Sequence, residues 1–137
     1  MKKILVATFV TVISCGCTPE QLAWFRDADT EDRHAVIRHV ITESALEFGV
    51  DPRLMIRIAE CESGLNPGAK NPKSTATGLF QFLHSTWESN RGRLEPVYEP
   101  WQIVDPIASS RIAADMVSQG SRAWASSESC WRDWENG

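Results

Sequence analysis

Glu62 is the side chain in this sequence best placed to move a proton. It follows Ile58 by four residues and Met55 by seven, so the three share one face of a helix. A carboxylate kept beside isoleucine and methionine is costly to hold ionised, which suits it to carry a proton and release it to a leaving group. Taken alone, the same residue could be satisfied by a neighbouring amide or by Arg57. Glu60 falls elsewhere on the circumference and is expected in water. After Glu62 come a polar, turn-rich loop and a glycine-led apolar segment, Gly78-Leu79-Phe80-Gln81-Phe82.

The elements that must position Glu62 read as helices. Asp29 or Thr30 can cap a first one, in which Val36, Ile37, Val40, Ile41, Ala45 and Phe48 recur at steps of three and four, and Gly49 ends it. Asp51 and Pro52 have the cap-plus-proline form of a second start, with Leu54, Met55, Ile58 and Ala59 along one side. Gly64 and Asn66-Pro67-Gly68 stop that helix. Ser85-Thr86-Trp87-Glu88 has the spacing of a capping box, so a third helix is expected from Ser85. Residues 90–104 form a long loop suited to a functional rim. Asp105-Pro106 opens an amphipathic helix carrying Ile107, Ile112, Ala113, Met116 and Val117 as far as Gly120. No β-alternation of any length is present. The fold class is therefore all-α.

The chain has 137 residues, enough for one domain and little more. Residues 1–16 read as an export signal: Lys2 and Lys3 precede the uncharged run 4–13, which is too short for the roughly 20 residues a bilayer span needs. Val12-Ile13-Ser14-Cys15 resembles a bacterial lipoprotein cleavage box, making Cys15 the candidate lipidation site. Cys17 is the rival, because lipidation there would leave an even pair, Cys61 and Cys130, in the mature chain. A plain secreted form is the third option. Residues 17–32 read as a tether with at most one helical turn, and 33–137 as the domain. A net charge of −4 without a Lys/Arg stripe excludes nucleic acid as a partner. His34, His39 and His84 have no metal-ligand spacing, so no metal or other cofactor is expected.

Glu62-Ser63-Gly64-Leu65-Asn66-Pro67, the loop, then Gly78-Leu79-Phe80-Gln81-Phe82 and Ser85-Thr86-Trp87 resemble the lytic transglycosylase SLT domain of the goose-lysozyme-like superfamily. The likeness runs from roughly His34 to Cys130. It implies a compact lysozyme-like helical domain with long active-site loops. It also implies a catalytic role for Glu62, the glutamate directly before serine, and a cleft lined by Gly78, Leu79 and Gln81. Ser63 would bond substrate or the acid. For Ser63 and Gln81, loop-bracing is an equally good reading. Cys61 before the glutamate, with Cys130 after an Ala-Trp, is similar to the resuscitation-promoting factors and implies a disulfide between the two.

The family resemblance implies cleavage of the bond between N-acetylmuramic acid and N-acetylglucosamine in peptidoglycan glycan strands. One glutamate acts first as acid and then as base, and the muramoyl C6 hydroxyl closes a 1,6-anhydro ring. A lysozyme-type hydrolase would add a second carboxylate to place water, with Asp105, Glu88 and Glu99 as candidates. A non-catalytic peptidoglycan-binding lipoprotein is the alternative from another class. Two departures stand out. The stretch from Ala113 to Gly120 lacks the tyrosine and asparagine that many members carry there, and His84 replaces a common proline. Tyr98 is the candidate substitute for that tyrosine, and Trp101 is the candidate sugar platform. The expected setting is extracytoplasmic, periplasmic or at the outer membrane through a lipid anchor. The chain is expected to act as a monomer.

Overall fold

The computed structural model describes residues 18–27 and 29–132. The export signal, Cys15, Cys17 and Trp134 lie outside them. Where a tether with one turn is expected, a helix α1 occupies Pro19–Asp27. Its start is a reciprocal cap: Gln21 N donates to Thr18 Oγ1 at 3.2 Å and Thr18 N donates to Gln21 Oε1 at 2.7 Å. That Thr-x-x-Gln spacing, overlooked in an acidic stretch, is why the segment is more than a linker.

Helix α2, Thr30–Glu47, is capped by Asp29, whose side chain accepts from Asp32 N at 2.9 Å, and it buries Ile37, Val40, Ile41 and Ala45. Gly49, at φ 68°, lets the chain turn back. Helix α3, Pro52–Ser63, starts on the Asp51 cap and buries Met55, Ile58 and Ala59. Gly64 ends it in the left-handed region, φ 60° and ψ 34°. Glu62 thus sits in the last turn of a helix fixed at both ends.

Helix α4, His84–Asn90, begins one residue before the expected Ser85 cap. Its first amide is taken by the preceding loop instead, His84 N donating to Thr75 Oγ1 at 3.3 Å. The long loop 90–104 closes with a 3-10 turn, Pro100–Val104. Helix α5, Pro106–Ser118, is capped by Asp105, whose Oδ1 accepts from Ile107 N at 2.9 Å and Ala108 N at 3.1 Å. The expected amphipathic face is absent: every residue from Pro106 to Met116 is buried, so α5 is a central helix packed around on all sides. A 3-10 turn, Ala125–Ser127, leads into a short α6, Glu128–Trp131. Among the described residues there are only isolated antiparallel bridges, Lys70–Thr77 and Thr77–Phe82, and the domain is all-α.

Arg111 enters this buried helix as a charge and is matched there. Its Nε and Nη2 fork onto the Glu47 carboxylate at 2.8 and 2.6 Å, and Nη1 donates to the Tyr98 hydroxyl at 2.5 Å. The bond to Glu47 raises the Arg111 pKa further above its ordinary range. Burial pushes the Tyr98 phenol up, against the pull of Arg111. Arg111→Ala removes the cation that ties α5 to α2 and to the long loop, leaving the buried Tyr98 hydroxyl without it. With Glu47 39% exposed, water takes over part of the loss, and the expected cost is about 2–3 kcal/mol, read as a lower urea midpoint.

Candidate active site

Three segments meet around the end of α3, each tied to another by a hydrogen bond. Ser63 Oγ donates to the Leu79 carbonyl at 2.7 Å, with the Ala59 carbonyl at 3.1 Å as a second acceptor. Trp124 Nε1 donates to the Phe80 carbonyl at 2.8 Å, and its ring packs edge-on against Phe80 and Phe82. Ser127 Oγ lies 2.5 Å from Glu62 Oε1. The end of α3, the 78–82 turn and the C-terminal segment thus form a closed frame, of which the contact between Ser127 and the Glu62 carboxyl is one side.

Glu62 itself is half-buried. Arg57, the alternative partner the sequence offers it, is engaged elsewhere: Nη1 pairs with Glu60 at 3.2 Å, and Arg38 adds a second ion pair to Glu60 at 3.1 Å. Glu60 is accordingly a paired, partly covered carboxylate rather than a free one in water. Among the described residues, Ser127 is the one hydrogen-bond partner of the Glu62 carboxyl.

The backbone of the 78–82 turn is held under constraint. Gly78 has φ 86°, and a Cβ there would lie 2.3 Å from the Ile103 carbonyl oxygen. Gln81 is a non-glycine residue at φ 51°, pinned by its own amide, Nε2 donating to the carbonyls of Ala69 at 3.1 Å and Gly78 at 3.0 Å. Gly78→Ala therefore drives a methyl into fixed backbone; an expected loss of about 2–3 kcal/mol is read by thermal unfolding, together with lower turnover because Leu79 braces Ser63.

A groove of about 740 Å³ opens beside this turn. Its walls are the 70–77 loop, the outer side of α4 with His84 and Glu88, and the 3-10 turn carrying Trp101. Trp101 is 56% exposed, an open aromatic face of the kind on which sugar rings stack. Glu62 is not among the lining residues. The chain between them is short: Thr77 lines the groove, and two residues on, Leu79 holds Ser63.

The SLT transglycosylase domain profile matches residues 39–130, which takes in the whole of this arrangement. The chain belongs to the transglycosylase SLT family. Similar proteins include the one described as "Probable transglycosylase SceD 2" of Staphylococcus saprophyticus, 54% identical over 41 residues, 30% of this chain and 16% of that protein. The endo-type membrane-bound lytic murein transglycosylase A of Salmonella paratyphi B is 39% identical over 83 residues, 57% of this chain and 39% of that protein. The same values hold for that of Salmonella enteritidis. The matched region spans less than half the length of each of these relatives. No solved structure matches.

Within this SLT domain, the residues singled out in the sequence divide into groups. Glu62, Ser63, Gly78 and Gln81 gather at one place, the last three as braces of the turn. Cys61 and Cys130 are bonded, with Cα atoms 6.1 Å apart. Trp101 stands at the groove. Two candidates for substrate contact are corrected. Leu79 is fully buried, its side chain in the core and its carbonyl the useful group. Tyr98 is also fully buried, stacked on Trp87 and bonded to Arg111, so it does not replace the missing tyrosine of the last helix. Nor does α5 reach the groove there: Ala113 and Ala114 are core, and Asp115 is held by Arg93 and Gln119.

Of the second-carboxylate candidates, Asp105 is buried as a helix cap and Glu99 is exposed at the start of the 3-10 turn. Glu88 lines the groove and pairs with Arg91 at 2.8 Å. Among the described residues no cluster of ligating side chains could hold a metal ion. Sequence reasoning missed Ser127. A signal existed: Cys130, three residues later, is bonded to the residue next to Glu62, and a helical turn brings position 127 to the same side.

Proposed function

We propose that this SLT domain is a peptidoglycan lytic transglycosylase. It would cleave the β-1,4 bond between N-acetylmuramic acid and N-acetylglucosamine with Glu62 as general acid and then base. What supports this reading is the Glu62 carboxyl at the end of α3, held by the neutral Ser127 hydroxyl and, among the described residues, in no ion pair, whereas Glu60 beside it is paired. Glu62 gives its proton to the bridging oxygen as the C1–O bond breaks. The muramoyl C6 hydroxyl then bonds to C1, and its proton returns to Glu62. Atoms balance without water, and the product is a 1,6-anhydro sugar. Ser63, Gly78 and Gln81 serve by fixing the turn, and Trp101 by stacking a sugar.

Glu88 in the groove wall keeps a hydrolase as the second reading, since a carboxylate there could orient water. Mass analysis of purified sacculi digested by the mature protein separates the two. The transglycosylase reading expects muropeptides one water lighter than a hydrolase gives; hydrated products would overturn it. The proposed setting is the periplasm, with the protein free or held at the outer membrane by a lipid on Cys15. Among the described residues no helix is long and apolar enough to cross a membrane.

A further inference from the structure

We propose that Ser127 is the positioning residue of the Glu62 carboxyl: its hydroxyl fixes Oε1 as the accepting oxygen and leaves Oε2 to carry the transferable proton. The inference rests on Glu62 being the acid. Ser127 has one hydrogen and two acceptors within reach, Glu62 Oε1 at 2.5 Å and the Trp124 carbonyl at 3.1 Å. Trp131 decides between them. Its indole N–H is shared between Ser127 Oγ at 3.2 Å and that same Trp124 carbonyl at 3.3 Å. The Trp124 carbonyl also accepts from Ser127 N at 3.1 Å, so both its lone pairs and one Oγ lone pair are engaged, and the shorter contact to Glu62 takes the hydroxyl hydrogen.

That polarity works in both halves of the reaction. Against the ionised carboxylate the bond is charge-assisted. Against the protonated acid, Oε1 is the carbonyl oxygen and still accepts, so the proton resides on Oε2, which has no hydrogen-bond or ion-pair partner among the described residues. The carboxyl keeps one orientation while its charge changes. The support is stiff, because Ser127 sits between Trp124, buried and bonded to Phe80, and Cys130, bonded to the neighbour of Glu62.

The test compares wild type with Ser127→Ala and Ser127→Thr. Loss of the hydroxyl is expected to lower kcat by about 10-fold or more at unchanged KM, because Ser127 touches the acid and not the glycan. Threonine, which keeps the hydroxyl, is expected to restore most of it. Unchanged kcat in Ser127→Ala, or equal losses in both variants, overturns the proposal. A second arm does not need turnover: the Glu62 side-chain carbon signal in glutamate-labelled protein, assigned by its loss in Glu62→Gln. That signal should shift in Ser127→Ala and return in Ser127→Thr; a signal that stays put overturns the contact. Wild-type protein that leaves sacculi intact defeats the transglycosylase reading, and the spectroscopic arm still decides whether Ser127 holds Glu62.

Discussion

On the proposed reading, Glu62→Gln is expected to lower glycan-strand cleavage by about 10²–10⁴-fold and to leave the domain folded. The amide keeps the shape of the carboxyl and an oxygen that can accept from Ser127 Oγ, so the frame around it survives. What it loses is the proton. Among the described residues no ion pair is broken, and Arg57 is engaged with Glu60. The same logic predicts that Glu60→Gln acts on stability through Arg38 and Arg57 and leaves turnover nearly as it was. Release of soluble muropeptides from sacculi, measured beside thermal unfolding, checks both. A Glu62→Gln protein with wild-type lytic activity would remove this residue from the chemistry.

The parts of this domain legible in the sequence were those governed by local rules. Asp51-Pro52 and Asp105-Pro106 mark helix starts because a cap and a fixed φ act within one turn. Gly49 and Gly64 mark ends because few other residues accept their backbone angles. What stayed hidden depends on distant partners. The burial of α5 on every side follows from α2, the 3-10 turn Pro100–Val104 and Tyr98 of the long loop, which pack against it, and serines and an arginine in its sequence disguise it. The embedding of Tyr98 follows from Arg111, whose Glu47 partner lies 64 residues earlier. For Ser63 and Gln81 the sequence leaves substrate contact and loop-bracing even, and the family resemblance implies Leu79 in the cleft wall. Their hydrogen bonds hold a turn that has Gln81 at positive φ, a bracing that depends on partners outside the local sequence.

Removing the disulfide, by Cys61→Ser with Cys130→Ser or by reduction, is expected to cost about 4 kcal/mol, since it frees a loop of 69 residues in the unfolded chain. For a domain of this size that corresponds to a melting temperature lower by roughly 15–20 °C. The functional loss should exceed what unfolding explains. The C-terminal segment carries Ser127, and without the disulfide it is retained by the Trp124–Phe80 bond and by Arg57 Nη2 on the Cys130 carbonyl at 3.4 Å. At a temperature where the reduced domain is still folded, the acid loses its fixed partner, and sacculus digestion should slow by about 10-fold. Ser127→Ala should be insensitive to that part of the effect, because the contact the disulfide protects is already absent. Equal digestion rates in oxidised and fully reduced protein, or reductant slowing wild type and Ser127→Ala alike, would separate the disulfide from the placement of Glu62 and leave it a staple of the fold alone.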